Sequence, residues 1–202
     1  MELITSLNKK ALIAYSSKYG YVDEIVHIIS EKLSKEGLQV DLLNLDKANI
    51  SKWPSIDEYK GIIVGSCMSK MGSSLRKEVK KFVNLNLETF LNTNKTLGFF
   101  YSDPRILNHI IDPNASKKVS ENTMNSFFGF IPKYCYDFGP AFDLAHGFKK
   151  LPPEDRDRIR RIVKKLSKET GIEFNFKGFN DLRDWNLIEE FSKNFSYDII
   201  KM

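Results

Sequence analysis

One α/β domain, spanning residues 1–202 and built on a parallel sheet of about five strands, is predicted by three observations. Short apolar runs with buried-strand character alternate along the chain with stretches of helical period. Glycines follow two of the helical stretches, at Gly37 and Gly171, where helices end. The 202 residues hold no internal repeat and no low-complexity linker, and they suffice for one full core. Repeated strand–helix–strand order implies right-handed crossovers between parallel strands.

Ala11–Tyr15 reads as the first strand. Tyr21–Glu36 follows as a helix, with Ile25, Ile28, Ile29 and Leu33 on one face. Leu38–Leu45 is the second strand, and a polar connection runs from it through Trp53-Pro54. Gly61–Gly65, apolar throughout, is a third strand buried on both faces. Ser73–Leu91 is predicted as one helix with Leu75, Val79, Phe82 and Val83 inward, and Thr96–Tyr101 as the fourth strand. Val119, Thr123 and Phe127, four apart, suggest a helix over Ser116–Phe130, and Tyr134–Phe138 is read as the fifth strand. Pro153–Thr170 is amphipathic, with Ile159, Ile162, Val163 and Leu166 on one stripe and Pro-Pro-Glu-Asp at its start. Asp181–Phe195 is the last helix, with Leu182, Trp185, Ile188 and Phe191 inward.

Composition narrows the function classes. A hydrophobic content of 42% and a charged content of 28% suit a globular protein. No apolar run approaches the roughly 20 residues that span a bilayer, and the first residues lack a secretory pattern. A cytoplasmic location is therefore expected. Cys67 and Cys135 make no disulfide framework. His27, His109 and His146 lack metal-ligand spacing, so no metal site is expected. The net charge of +5 gathers in Lys149–Lys168, where nine Lys or Arg face three acids. With no recognition motif beside that stretch, no nucleic-acid partner is expected, whereas contact with a membrane surface stays open.

The most informative segment is Ser16-Ser17-Lys18-Tyr19-Gly20-Tyr21-Val22. A strand that empties through a hydroxyl-bearing turn into a helix gathers unpaired N–H groups at the positive end of the helix dipole. Such a turn suits a phosphate. Absences then separate the phosphate-binding folds. There is no G-x-x-x-x-G-K-[ST], which removes the P-loop. The turn has a single glycine rather than G-x-G-x-x-G, which disfavours a dinucleotide site. Strand three ends in Gly65-Ser66-Cys67 with no phosphoacceptor aspartate.

What remains resembles the flavodoxin-like family, whose first loop, Ser/Thr-x-Ser/Thr-x-Gly-x-Thr, wraps the phosphate of FMN. The resemblance implies a three-layer sandwich: a five-stranded parallel sheet of order 2-1-3-4-5, helices on both faces, and an insert late in the chain. It implies phosphate contacts from Ser16, Ser17, Lys18, Tyr19, Gly20, Tyr21 and Val22. Ring contacts are expected from Cys67, Met68, Ser69, Lys70, Met71 and Gly72, and from Ser102 and Asp103. The Met71–Gly72 peptide is expected near flavin N5. Val22 departs from the pattern, replacing a hydroxyl that elsewhere bonds the phosphate. Within the family the chain resembles the proteins typified by the menaquinone-dependent protoporphyrinogen dehydrogenase, which read Ser-Thr-Arg-x-Gly-x-Thr. These carry a basic helix in an insert after strand five, and an Asp-Trp helix where this chain has Asp184-Trp185.

That resemblance implies an FMN-dependent oxidoreductase acting on a quinone, a porphyrinogen or a similar flat molecule. The aromatic run Phe127, Phe128, Phe130, Tyr134, Tyr136, Phe138 and Phe142 suggests either a flat-substrate pocket or core packing. Two alternatives stay open: an electron carrier between redox partner proteins, and a degenerate fold without FMN. No catalytic acid or base is assigned.

Overall fold

The computed structural model describes residues 9–17, 20–69, 74–102, 121–122, 124–126, 128–139, 141–143 and 153–202. Strand β1, Lys10–Ser16, is central because every residue after Lys10 is buried, which requires neighbours on both edges and both faces. It pairs in parallel with β2, Gln39–Asn44, on one edge and with β3, Gly61–Ser69, on the other. β3 pairs in parallel with β5, Thr96–Ser102, and β5 with β6, Tyr134–Asp137. A two-residue strand β4, Ser74–Leu75, folds back antiparallel on the end of β3. The five parallel strands thus run β2-β1-β3-β5-β6, the expected 2-1-3-4-5 order.

Alternation along each strand sorts the side chains into two layers. Leu12 and Ala14, Ile62 and Val64, Phe99 and Tyr101 face α2, Lys77–Leu85, and α3, Leu87–Leu91. Ala11, Ile13, Tyr15, Ile63 and Phe100 face α1, Tyr21–Lys35. Val22, Ile25, Val26, Ile29 and Leu33 of α1 are buried there, and each contributes about 1.5–3 kcal/mol of transfer free energy. The helix closes at Gly37, whose φ of 87° is a left-handed cap.

Helix α4 covers Pro153–Thr170, the range predicted, and buries Val163 and Leu166. Helix α5, Trp185–Lys201, lies on the α1 side of the sheet with Ile188, Phe191, Phe195 and Ile199 buried. Its ring-rich face meets Phe138 and Tyr136, whose centroids stand 5.4 and 5.7 Å from that of Phe191. Gly61 makes room for this approach, since a Cβ there would lie 2.2 Å from Ile199 Cδ1 and 2.9 Å from the Phe195 ring.

Several boundaries differ from expectation. The single helix over Ser73–Leu91 is instead β4, α2 and α3. The break falls at Asn86, whose side chain donates to the Phe82 carbonyl at 2.8 Å and ends the ladder. β3 runs on to Ser69, so Cys67, Met68 and Ser69 are strand rather than loop. Asp181 is strand, and the last helix starts at Trp185, where the Asp184 carboxylate accepts from the Leu187 N–H at 2.9 Å. Of Ser116–Phe130, residues 121–122, 124–126 and 128 are helical, and its beginning lies outside the described residues. A further pair was not anticipated: β7, Ala141–Asp143, is antiparallel to β8, Phe179–Asp181, closing the base of the segment that carries α4.

Candidate functional site

The turn between β1 and α1 lies where the strand order reverses, at the C-terminal edge of the sheet, which is where open α/β sheets form crevices. Gly20 precedes α1 at φ 88°, a conformation costly for any residue with a Cβ, and its carbonyl accepts from the Glu24 N–H at 3.3 Å. Ser17 Oγ accepts from the Asp23 N–H at 3.2 Å, capping the first turn from outside. Tyr21 and Val22 are the first helical residues, whose N–H groups have no upstream carbonyl of the helix to bond.

Two of the expected donors converge on an oxygen anion supplied by the chain itself. Leu45 N–H donates to the Tyr15 carbonyl at 2.7 Å, continuing the β1–β2 ladder and bringing Asp46 level with the turn. Ser16 Oγ lies 2.8 Å from Asp46 Oδ1 and 2.9 Å from Oδ2, and the Ser17 N–H donates to Oδ2 at 2.8 Å. Arg76, just after β4, reaches the same point: its Nε donates to Ser16 Oγ and its Nη2 to Asp46 Oδ1, both at 3.3 Å. Glu78 Oε2, buried without a hydrogen-bond donor among the described residues, stands 3.7 Å from the same Arg76 nitrogen. Burial first, and the Asp23 and Asp46 carboxylates after it, push the Tyr15 phenol above its ordinary value against a bond from Asn44, so the ring stays neutral.

The turn is braced from the far end of the chain. Arg183, its side chain 2% exposed, donates to the Tyr21 carbonyl at 2.9 Å, to Glu24 Oε2 at 2.5 Å, and to both oxygens of Asp181 at 2.8 and 2.7 Å. Its guanidinium lies over the Trp185 ring at 4.4 Å. The Phe179 ring stands 5.5 Å from that of Tyr21.

The remaining expected site residues are distributed as follows. Cys67 is half-buried and in register with Ser102, on adjacent strands. Ser102 is buried and donates its hydroxyl to the Gly139 carbonyl at 2.8 Å. The backbones of Met68 and Ser69 pair with Leu75 and Ser74. Lys18, Tyr19, Lys70, Met71, Gly72 and Asp103 lie outside the described residues. Val22 is 1% exposed within the apolar layer, so its side chain offers no surface to a ligand. Of the aromatic run, Phe128, Tyr134 and Phe138 are buried in the core. Sequence reasoning missed Asp46, Arg76 and Arg183. Asp46, two residues past a strand parallel to β1, was the most accessible of the three, because neighbouring parallel strands end side by side.

Fold and turn together define a class: a parallel α/β protein whose strand-order switch carries a cradle for its own Asp46 carboxylate. Residues 12–172 match the model of the flavodoxin domain, and the chain belongs to that family. No curated protein sequence matches it significantly. Among solved structures it is similar to rubredoxin oxygen:oxidoreductase from Desulfovibrio gigas, at 15% identity and a TM-score of 0.55, over 95% of this chain and 37% of that one. It is also similar to the flavodiiron protein from Giardia intestinalis, at 10% identity and a TM-score of 0.51, over 96% and 36%. Flavodoxin 2 from Bacillus cereus aligns at 18% identity and a TM-score of 0.48, over 95% and 98%. The chain thus spans little more than a third of the first two proteins.

Proposed function

We propose that this chain binds FMN and acts as a flavin-dependent oxidoreductase whose partner substrate is a quinone, a porphyrinogen or a similar flat molecule. The observation that carries the reading is the convergence of the Ser16 hydroxyl and the Ser17 N–H on the oxygens of a single carboxylate. Donors that hold one oxyanion have the chemistry to hold another, and membership of the flavodoxin domain family gives that anion a natural owner. FMN, when bound, supplies the electron chemistry.

The chain's own residues bind and orient. Ser16, Ser17, Gly20 and the N–H groups of Tyr21 and Val22 take the phosphate, with Lys18 and Tyr19 of the same turn. Ring contacts fall to Cys67–Gly72 and to Ser102–Asp103. Pairing of Met68 and Ser69 with β4 presents the end of β3 as a fixed backbone edge. The Met71–Gly72 peptide is the contact assigned to flavin N5. Resemblance to the menaquinone-dependent protoporphyrinogen dehydrogenase type favours the quinone or porphyrinogen substrate. A lipid quinone is met at a membrane surface, and the exposed Arg160, Arg161, Lys164, Lys165 and Lys168 of α4 offer a cationic face there. Among the described residues no helix is long and apolar enough to cross a membrane.

A second reading, an electron carrier between protein partners, is favoured by the burial of Phe128, Tyr134 and Phe138, which fill core instead of lining a substrate cavity. Titration of the apo-protein with FMN, followed by quenching of flavin fluorescence, tests both. Saturable binding, tighter than that of riboflavin, is expected. An unquenched signal at all concentrations removes both readings and leaves a flavodoxin fold without FMN. Rapid reoxidation of the reduced protein by a soluble quinone alone then favours the enzyme over the carrier.

A further inference from the structure

Ser16 has one hydroxyl proton and Ser17 one N–H, and both are already given to Asp46. A phosphate oxygen that takes these donors must displace the carboxylate. A phosphate that leaves them in place and uses only the first turn of α1 sits beside a fixed negative charge. Either route costs affinity, and the cost applies to an anion rather than to a neutral ligand. Arg76 is not free to offset that charge, because its guanidinium is shared between Asp46 and Glu78. From this arrangement, and resting on the cradle assignment above, we propose that Asp46 is a specificity-determining residue that lowers the site's preference for phosphorylated over unphosphorylated flavin, with Arg76 as the cation it withholds from the phosphate.

The arrangement also satisfies the donors of Ser16 and Ser17 from within the chain. Converging donors left unpaired carry a desolvation cost, and the Asp46 carboxylate removes it from inside the chain. The Ser17 hydroxyl accepts from the Asp23 N–H, its proton goes to no acceptor among the described residues, and the Val22 N–H has no carbonyl of the helix to bond. These groups remain for an incoming oxygen whichever way Asp46 turns. Loss of the Asp46 charge therefore improves anion binding without emptying the donor set.

Asp46→Asn, which keeps the shape and removes the charge, tests the assignment. FMN and riboflavin are titrated into wild type and variant, and inorganic phosphate alone is followed by the amide shifts of Ser17 and Val22. Expected are FMN and phosphate binding about tenfold tighter in the variant, with riboflavin changed by less than about twofold. An unchanged or smaller FMN-to-riboflavin ratio, with phosphate binding unchanged, overturns the proposal while leaving the FMN reading intact. If neither flavin binds either protein but phosphate binds Asp46→Asn more tightly, the FMN reading and the flavin preference fall, and only the weakening of anion binding by the Asp46 charge stands. If neither flavin nor phosphate binds either protein, both fall. Asp46→Ser, shorter and neutral, gives the same reading should the asparagine variant fold poorly. Arg76→Gln weakens phosphate binding more in the Asp46→Asn background than alone, because only there is the guanidinium released; equal effects in both backgrounds also count against the proposal.

Discussion

Arg183 joins three carbonyl or carboxylate partners that belong to different parts of the chain: Tyr21, Glu24 and Asp181. Burial lowers the proton affinity of its guanidinium, and the two carboxylates more than reverse this. Burial likewise raises the Asp181 carboxyl, and the Arg183 guanidinium takes it below the ordinary 3.8. A carboxyl depressed in the folded state stabilises at pH above its unfolded value, and that contribution is lost as pH falls through the lower folded value. Wild type therefore exceeds Asp181→Asn in stability at pH 6, and the gap narrows as pH falls from about 3.8 downward. Urea unfolding at a series of pH values measures it; a gap independent of pH contradicts the pairing. Val22 belongs to the same scale. Its side chain is enclosed with Ile25 and Val26, so Val22→Thr places a hydroxyl in an apolar layer. Thermal unfolding is expected to show a loss of about 1–2 kcal/mol, and fluorescence titration no gain in FMN affinity, contrary to what the loop pattern alone suggests.

Elements tell how much was readable in advance. β1, α1 and α4 were legible because each carries its period and its punctuation locally: an apolar run before the turn, Gly37 after α1, Pro152-Pro153 at the start of α4. The division of α2 from α3 was not, because Val79, Phe82, Val83 and Phe90 keep inward spacing across the break while a side-chain bond at Asn86 ends the ladder. β4, β7 and β8 are two or three residues long, too short to carry a period of their own, and β7 and β8 exist only through pairing with each other across a long stretch of chain. Of the site, the turn itself was legible, and its carboxylate and both arginines were not, since their meeting depends on register between strands. Close packing of α5 on the sheet makes a prediction at this scale. Gly61→Ala drives a methyl into Ile199 and Phe195. A loss of about 1–3 kcal/mol is expected by denaturant unfolding, with flavin or phosphate affinity unchanged because the contact lies at the opposite edge from the cradle. An unaffected midpoint shows that α5 yields easily.

Across the whole molecule, the cradle's parts come from widely separated stretches: β1 and the start of α1, the end of β2, the start of α2, and the segment around β8. The brace from Arg183 to Tyr21 joins residues 162 apart, and that to Glu24 joins residues 159 apart. During synthesis the opening turn leaves the ribosome roughly 10–30 s before Arg183, at about 5–20 residues per second. For that interval the Tyr21 carbonyl and the Glu24 carboxylate have no guanidinium to meet, so this brace is among the last contacts the described chain can complete.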